Sequence, residues 1–508
     1  MSFLYNNIAA ITVAGVASAV AWLFGGARGE WLLPVVPWLF VVLVEVLVCY
    51  PQRHRGESTY EARTRVWYEL KRSKVVWLSC GFLALLLVPF FNSGLCPVCD
   101  AALIAQGASP EPPLPFLPFC VSKLEHLNVF MWFMIVLPSA IAVHHCLTNR
   151  GKRLVVELIV WNGAALALLG FVQSVSGAQS PFWCELPKGQ KAVDFFSTFG
   201  YPNMAGDYFT TLFGLSVALW RDRCERLRQE EATRDMSELS GKEATKRDLF
   251  LRKHYFLLPA VLFFFAALNT LSRAAMILVT VTAFIYFLHT LVLELSRMKR
   301  SRRLLVGAWS LLAFGLVVAL AIVTMPEKMK REVNTLETIG MLDRVTGKGQ
   351  YHVDVATALW RDHPFFGIGG WGYAHLSLSK MDELNIPKRN RQIVGGANVH
   401  NDHLQFLVEH GIVGFVALLA IVALLLWPFI RQWLALVQFY SFKKGKKPPR
   451  PIPIFAMPAS AFFILTTAVA TTIHAFGDCP LRSCAVLDLF FISIAAIPGF
   501  MPRIEPRR

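Results

Sequence analysis

Long apolar runs that can each cross a lipid bilayer recur along the whole 508-residue chain. The hydrocarbon core of a bilayer is about 30 Å thick, and an α-helix needs about 20 predominantly apolar residues to cross it. Because the runs are continuous and do not alternate with polar residues, they predict helices rather than a barrel. Hydrophobic residues make up 55% of the chain and charged residues 17%, which is less charge than soluble domains carry. We therefore expect an all-α, polytopic helical membrane protein, with residues 1–508 forming a single integral membrane domain.

About twelve of these runs are candidates for transmembrane helices, which we number as spans in chain order. They lie near residues 8–27, 31–50, 74–93, 126–146, 154–175, 203–220, 255–271, 274–294, 304–325, 411–430, 453–475 and 484–501. The segment between spans nine and ten, residues 326–410, is long and contains helix-like stretches. Since long loops without a role are uncommon, we expect this segment to form a helical cap on the outer side of the bundle.

Lysine and arginine residues are concentrated in the loops on one side of the predicted bundle. The loops 51–74, 147–153, 221–254, 295–303 and 431–452 and the tail 502–508 hold 34 of the 50. Basic loops remain in the cytoplasm, which predicts cytoplasmic termini and an outer (periplasmic) cap. The net charge of +16 then reflects topology, and nucleic acid is not an expected partner. The charged cytoplasmic loop 221–254 is predicted to be a solvated helical excursion, because it mixes both charge signs.

Six of the ten cysteines fall on the predicted outer side. They are Cys96, Cys99, Cys120, Cys184, Cys479 and Cys484. An oxidising compartment permits disulfides among them, but the sequence does not decide the pairing. The Cys96-Pro-Val-Cys99 segment is also typical of redox or zinc motifs. A structural bridge is the favoured interpretation, because no second motif of this kind accompanies it.

One titratable imidazole lies where the polar 326–410 segment re-enters an apolar run. If residues 400–414 form one helix, His400, Leu404, Leu407, Gly411 and Gly414 share a face at steps of four and three. The glycines would let this face approach a neighbouring helix closely. The imidazole would then sit at the membrane boundary, where it can accept a proton from a hydroxyl group. A helix-terminal histidine that only bonds a backbone group explains the same spacing equally well.

His403, Glu409 and His410 lie close to His400 in the sequence and suggest a metal site as an alternative. The spacing of His400 and His403 does not match the HExxH pattern, and no comparable ligand set completes the site. We therefore predict that no metal is bound there.

Arg273 is nearly the only cation in the apolar stretch that contains spans seven and eight. A guanidinium in such surroundings is costly unless it has an anionic partner. Its planar fork of donors matches phosphate oxygens, so a diphosphate at the outer interface is a natural ligand. The alternative is an arginine that extends to the interface or bonds backbone carbonyls.

Asn203 lies in a segment, residues 199–206, whose glycines and Pro202 predict a fixed turn that leads into a helix. Its amide is able to donate to a substrate oxygen, but a plain helix cap is the favoured interpretation.

A second turn follows Arg361 and His363, because the residue before Pro364 disfavours the α-helical conformation. Gly367 and Gly369 then allow the backbone to cross a helix or a substrate closely. Arg361 and His363 are candidates for ligand contact, with solvation of a helix end as the alternative.

Together, the four segments that contain Asn203, Arg273, His363 and His400 resemble the superfamily of O-antigen ligases and O-antigen polymerases. The ligase signature is a histidine, a polar residue, nine further residues and then Gly-x-x-Gly, and it is matched by His400, Asn401, Gly411 and Gly414. The family's His-Pro-x-x-Gly-x-Gly element is matched at 363–369, its Gly-x-Pro-Asn turn at 200–203 and its Ser-Arg turn at 272–273.

The chain departs from the family pattern in the long loop, where many relatives carry a second arginine. Gly349 occupies that neighbourhood here, with Lys348 adjacent and Arg344 upstream. The resemblance thus implies a substrate-binding set of Asn203, Asn401, Arg361, His363, Lys348 and Arg344.

The resemblance also implies a metal-independent and cofactor-free glycosyl transfer at the outer face of the bacterial inner membrane. The donor would be a lipid-linked glycan on a polyprenyl diphosphate, and the acceptor a glycolipid or a glycan in the same bilayer. His400 would deprotonate the acceptor hydroxyl, and Arg273 would hold the diphosphate. The alternatives are a polysaccharide polymerase or a protein oligosaccharyltransferase of the same superfamily. A membrane transporter is less favoured, since the polar residues within the spans are not clustered.

Overall fold

The computed structural model is all-helical, which confirms the predicted fold class. It describes residues 2–26, 34–54, 56–94, 112–114, 116–183, 195–233, 253–323, 330, 349–386, 398–441 and 457–502. Within these ranges, β-structure is limited to two isolated bridges. The α-helices are α1 (Ser2–Trp22), α2 (Val36–Cys49), α3 (Thr59–Arg72), α4 (Lys74–Phe91), α5 (Lys123–Ile141), α6 (Asn149–Ser176), α7 (Pro202–Thr233), α8 (Leu257–Asn269), α9 (Arg273–Arg297), α10 (Arg300–Val323), α11 (Gly349–Asp362), α12 (Gly372–Glu383), α13 (Asp402–Ser441), α14 (Ala459–Gly477) and α15 (Cys484–Ala496).

Six of the described helices are long and apolar enough to cross a membrane, which fits the predicted polytopic architecture. They are α4, α5 with the π-helical turn that follows it, α6, α9, α13 and α14. Shorter apolar helices lie at Asn6–Trp22, Val36–Cys49, Leu257–Asn269 and Cys484–Phe500. The count of twelve spans remains a prediction.

Helix α7 lies at the centre of the bundle and packs against α6, α8, α9, α14 and α15. Its middle is buried all round, and Ala205, Phe209 and Leu212 are fully inaccessible. Close approach depends on small residues: a Cβ added at Gly206 would overlap Ala275 near the start of α9. This contact brings the first turns of α7 and α9 together.

Helix α7 extends beyond its predicted span into the segment that was predicted to be a helical excursion. The span predicted at 203–220 continues without a break to Thr233. Ion pairs join this extension to the end of α9, because Arg221 and Arg228 both contact Glu294, at 3.1 and 3.0 Å. Residues 234–252 of the predicted loop lie outside the described residues.

Helices α11 and α12 pack on each other, and both contact α13. A separate apolar core, which includes Val355, Ile368 and Tyr373, fills the space between them. Backbone bonds anchor this layer to the bundle, since Gly370 N–H donates to His126 Nδ1 of α5 at 2.8 Å. We call the end of the bundle that carries α11 and α12 the cap side. The division into a cap of 326–410 remains a prediction, because residues 331–348 and 387–397 lie outside the described residues.

The cysteines predicted on the outer side that the structure describes are buried free thiols: Cys120, Cys479 and Cys484. Cys120 Sγ–H donates to the carbonyl of Pro89 at 3.1 Å. Cys96, Cys99 and Cys184 lie outside the described residues, so the pairing stays open.

Candidate active site

His400 lies on the short segment that leads into α13. Its φ of 55° is left-handed, a conformation that costs a residue with a Cβ on the order of 1 kcal/mol. The first turn of α13 holds the backbone on both sides: Val399 N–H donates to Gln405 Oε1 at 2.9 Å, and Leu404 N–H donates to Asn401 Oδ1 at 3.0 Å. The imidazole is 46% exposed. The local fold therefore presents a reachable imidazole in a fixed orientation.

The predicted continuous helix over 400–414 is wrong in two places. His400 precedes the helix, which begins at Asp402, and α13 is broken at Gly411, whose φ of 63° and ψ of −175° are not helical. A Cβ at Gly411 would overlap the backbone of Phe365 and Phe366, so its absence accommodates the cap loop and not a neighbouring helix.

The break at Gly411 is filled by the glycine-rich turn at 364–369, so the two motifs form one interlocked element. Ile412 and Val413 donate their N–H groups to the carbonyls of Pro364 and Phe365, at 2.9 and 3.1 Å. In the other direction, the N–H groups of residues 368 and 369 donate to carbonyls of residues 408 and 409, at 3.2 and 2.8 Å. Backbone groups freed by a break in an apolar helix need such partners.

Gly367 and Gly369 serve this interlock directly. Both have positive φ, at 71° and 83°. A Cβ at Gly367 would overlap the backbone of Glu409, and one at Gly369 would overlap Cys120. Gly414 faces only His410 of its own helix. Gly367 and Gly411 therefore allow the cap turn and α13 to approach closely, Gly369 allows the turn to approach Cys120, and Gly414 does not contact the cap.

Asp478, directly after α14, is the partner of His400 that the sequence did not reveal. His400 Nδ1 lies 3.4 Å from Asp478 Oδ1. The same carboxylate accepts hydrogen bonds from the Tyr201 hydroxyl at 3.0 Å, from Cys479 N–H at 2.8 Å and from the Asn203 amide. Its only signal in the sequence is an acidic residue at the end of an apolar run. These bonds fix the carboxylate that orients the imidazole.

The pair shifts the pKa values of both groups toward their charged forms. The hydrogen bond that His400 donates to Asp478, together with the charge of Asp478, raises the pKa of His400 above the ordinary value near 6.5, although burial opposes the shift. Burial, the largest single effect, would raise the pKa of Asp478, but the bond and charge of His400, the Cys479 N–H bond and the charge of His474 together lower it. Asp478 is therefore an anion beside the imidazole.

His352 of α11 packs its ring edge-on against His400, with ring centroids 5.6 Å apart. Its Nδ1 lies 3.2 Å from the hydroxyl of Tyr373. Burial and the neighbouring His400 lower the pKa of His352 to about 4. The cap thus contributes a neutral ring to the wall around His400, which the sequence did not predict.

Arg273 is the first residue of α9 and follows the helix cap Ser272, whose hydroxyl accepts from Ala275 N–H at 3.2 Å. The preceding Leu271 has a left-handed φ of 62°, which makes the turn into the helix tight. Because Gly206 contacts Ala275 and Ser272, Arg273 lies beside the first turns of α7. Asn203, one turn before Gly206, bonds Asp478. The starts of α7 and α9 and the end of α14 therefore meet on the cap side.

The other predicted site residues occupy three kinds of place. Asn401 caps α13, and Asn203 holds Asp478. Arg361 and His363 are exposed at the end of α11, where His363 packs on Phe119 with ring centroids 5.0 Å apart. Lys348 and Arg344 lie outside the described residues.

The neighbouring side chains that were considered as metal ligands with His400 have other partners. His403 Nε2 bonds the carbonyl of Thr472 at 3.2 Å, and Glu409 forms an ion pair with Arg482. Arg482, from the turn between α14 and α15, also lies 4.0 Å from Asp402 and 4.8 Å above the Trp371 ring. This buried network ties the cap loop, α13 and the α14–α15 turn together.

A cavity of about 200 Å³ lies beside this network, between α5, α13 and α15. Phe406, Leu419 and Phe490 are among its apolar walls, and Asp402 and Arg482 form its polar end. Because most of its wall is apolar, this cavity suits an alkyl chain better than a free sugar.

Comparison with known proteins gives one family. Residues 258–419 match the family model described as O-Antigen ligase. The matched range contains Arg273, the interlock and His400, and ends before Asp478. No curated protein matched the chain. The match over residues 258–419 supports the resemblance to the O-antigen ligase superfamily that the sequence motifs indicated.

Proposed function

We propose that this protein transfers a glycan from a polyprenyl diphosphate carrier to an acceptor hydroxyl at the outer face of the bacterial inner membrane. The observation that carries the proposal is the bond between His400 and Asp478, because it supplies an oriented imidazole on the cap side. The O-antigen ligase match supports a membrane glycosyl-transfer function in general.

His400 acts as the base in this proposal. The Asp478 carboxylate accepts a hydrogen bond from Nδ1–H of the imidazole, which leaves Nε2 unprotonated and able to accept a proton. The acceptor hydroxyl gives its proton to Nε2 while its oxygen attacks the anomeric carbon of the donor sugar. The bond from that carbon to the diphosphate oxygen breaks, and the diphosphate leaves with the lipid.

Arg273 stabilises the negative charge that develops on the leaving diphosphate. Arg273 is the first residue of α9, where the helix dipole also favours an anion. A fixed positive group here performs the role that a metal ion has in other phosphate chemistry. The proposed reaction therefore needs neither a metal nor another cofactor.

The remaining predicted binding residues have different roles in the proposed reaction. Asn203 and Asn401 are assigned to positioning, since their side chains bond Asp478 and the first turn of α13. Arg361 and His363 are proposed to contact the glycan from the cap. Lys348 or Arg344 is proposed as a second cation for the diphosphate.

The experiment that tests the function is transfer of a labelled glycan from undecaprenyl diphosphate by the full chain in proteoliposomes. Wild-type protein is expected to consume the donor in the presence of an acceptor glycolipid. His400→Ala should fold and leave the donor intact, whereas His54→Ala, an exposed histidine on the predicted cytoplasmic side, should transfer normally. Normal transfer by His400→Ala would contradict the assignment of the base.

Three related outcomes are separated by the product. Lipopolysaccharide indicates a ligase, a lengthened lipid-linked glycan indicates a polymerase, and a glycoprotein indicates a protein oligosaccharyltransferase. A transporter would instead move substrate into protein-containing vesicles without any lipid-linked donor. Each product is identified by mass spectrometry of the same reaction mixture.

A further inference from the structure

Three side chains with metal-binding atoms lie close together around His400, the proposed base. His400, Asp478 and Cys479 each place one ligand atom within 4.8 Å of the other two. Of the residues that the structure describes, this is the one group of three or more His, Cys, Asp or Glu side chains with that property. We propose that these three side chains bind a divalent transition metal of the zinc class, and that the bound metal inhibits the enzyme.

The separations between ligand atoms fit a tetrahedral ion. Zinc bonds of about 2.0 Å to nitrogen or oxygen and about 2.3 Å to sulfur place neighbouring ligand atoms about 3.3–3.6 Å apart. His400 Nδ1 lies 3.4 Å from Asp478 Oδ1, and Cys479 Sγ lies 3.3 Å from the same oxygen. A small rotation of the half-exposed imidazole would bring His400 Nδ1 to a similar distance from Cys479 Sγ. The fourth coordination position then remains for water.

The surroundings hold two of the three ligands in place before any metal arrives. Asp478 and Cys479 are consecutive residues that follow the rigid end of α14. Tyr201 and Asn203 fix the carboxylate by hydrogen bonds, as outer partners of metal ligands commonly do. A set of one nitrogen, one carboxylate oxygen and one sulfur favours zinc-class ions over magnesium or calcium.

The metal would inhibit the base by occupying one ring nitrogen of His400 and leaving the proton on the other. A metal on Nδ1 takes the place of the proton on that atom, and the neutral imidazole then carries its single proton on Nε2. No ring nitrogen is left to accept the proton of the acceptor hydroxyl. The Cys479 thiol loses its proton to solvent on binding. Burial, together with the charge of Asp478, raises the pKa of Cys479, so binding strengthens as the pH increases. Metal binding stands by itself, whereas the inhibition rests on the proposed function.

Cobalt is the probe that tests the binding directly. Titration of the purified full chain with Co²⁺ is expected to give a thiolate-to-cobalt charge-transfer band that saturates near one ion per chain. Cys479→Ser should lose this band. Cys120→Ser, which removes another buried thiol on the cap side, should keep it. Absence of the band in wild-type protein, or its persistence in Cys479→Ser, would overturn the site.

Zinc inhibition is then measured by the glycan transfer assay, with each variant compared with its own metal-free rate. Cys479→Ser should need at least about tenfold more zinc for half inhibition than wild type or Cys120→Ser. A cobalt band without zinc inhibition would leave the metal site in place and would contradict the assignment of His400 as the base.

Discussion

At the residue scale, the chemistry of His400 depends on groups from separate parts of the chain. Asp478 follows α14, His352 belongs to α11, and Gln405 of α13 holds the backbone before the imidazole. Fixing the ring before substrate arrives reduces the entropy that must be lost in the transition state. The left-handed backbone at His400 is the local strain that this arrangement maintains.

The first prediction concerns Asp478→Asn. Loss of the carboxylate charge lowers the pKa of His400, because the bond and charge of Asp478 raise it in the wild type. We expect kcat to fall by about 100-fold and the acidic limb of the kcat/KM profile to move about one unit to lower pH. The measurement is a pH–rate profile of both proteins. An unmoved acidic limb would show that Asp478 does not act on the base.

The second prediction concerns His352, whose folded pKa of about 4 is below the ordinary value near 6.5. The folded state favours the neutral ring, so its contribution to stability is complete above about pH 6.5 and is lost as the pH falls toward 4. His352→Phe should therefore lose less stability than wild type over this interval. Thermal unfolding at a series of pH values measures the difference, and equal pH dependence of the two proteins would contradict it.

At the element scale, the interlock between the 364–369 turn and the break in α13 determines where His400 lies. The sequence pointed to both glycine motifs but not to their contact, because each was explained by local spacing alone. Asp478 was missed for the same reason: a single carboxylate after an apolar run has no periodicity to mark it. Arg273 and His400 became candidates because a cation and an imidazole are rare in apolar surroundings, and their roles stay predictions.

The third prediction tests the interlock through Gly411→Ala. The φ and ψ of Gly411 are accessible almost only to glycine, and a Cβ would overlap the Phe365 backbone. We expect a loss of about 3 kcal/mol or more in stability, with loss of transfer. Gly15→Ala is the control, since a Cβ there meets nothing within 4 Å. Unfolding in detergent measures both, and equal stability of the two variants would refute the interlock.

The fourth prediction tests the buried ion network through Arg482→Met. This change leaves the carboxylates of Glu409 and Asp402 buried without their cation, which costs about 3–5 kcal/mol. Arg482→Met combined with Glu409→Gln should recover part of the loss, because one uncompensated charge is removed. Thermal unfolding measures the stability of the wild type and the two variants. If Arg482→Met were as stable as wild type, a structural role for Arg482 would be excluded.

At the scale of the whole molecule, the apolar runs predicted the helical membrane architecture well, since they reflect the bilayer and not specific contacts. The orientation predicted from the basic loops stays a prediction. Contacts between distant helices were not predictable, because the packing around α7 depends on specific pairs of small residues, such as Gly206 and Ala275.

The fifth prediction concerns orientation. Because 34 of the 50 basic residues lie in one set of loops and the C-terminal tail, the C-terminus is expected in the cytoplasm. A C-terminal green fluorescent protein fusion should fluoresce in a bacterial host, and a C-terminal alkaline phosphatase fusion should be inactive. The opposite pair of results would invert the topology and place His400 on the cytoplasmic side.

The most direct test of the central claim measures donor affinity and single-turnover transfer together for His400→Gln and Arg273→Gln. The account predicts that His400→Gln binds the undecaprenyl diphosphate-linked donor with unchanged affinity and transfers at least about 100-fold more slowly. Arg273→Gln should bind the donor at least about tenfold more weakly. Transfer by His400→Gln at the wild-type rate would contradict the account.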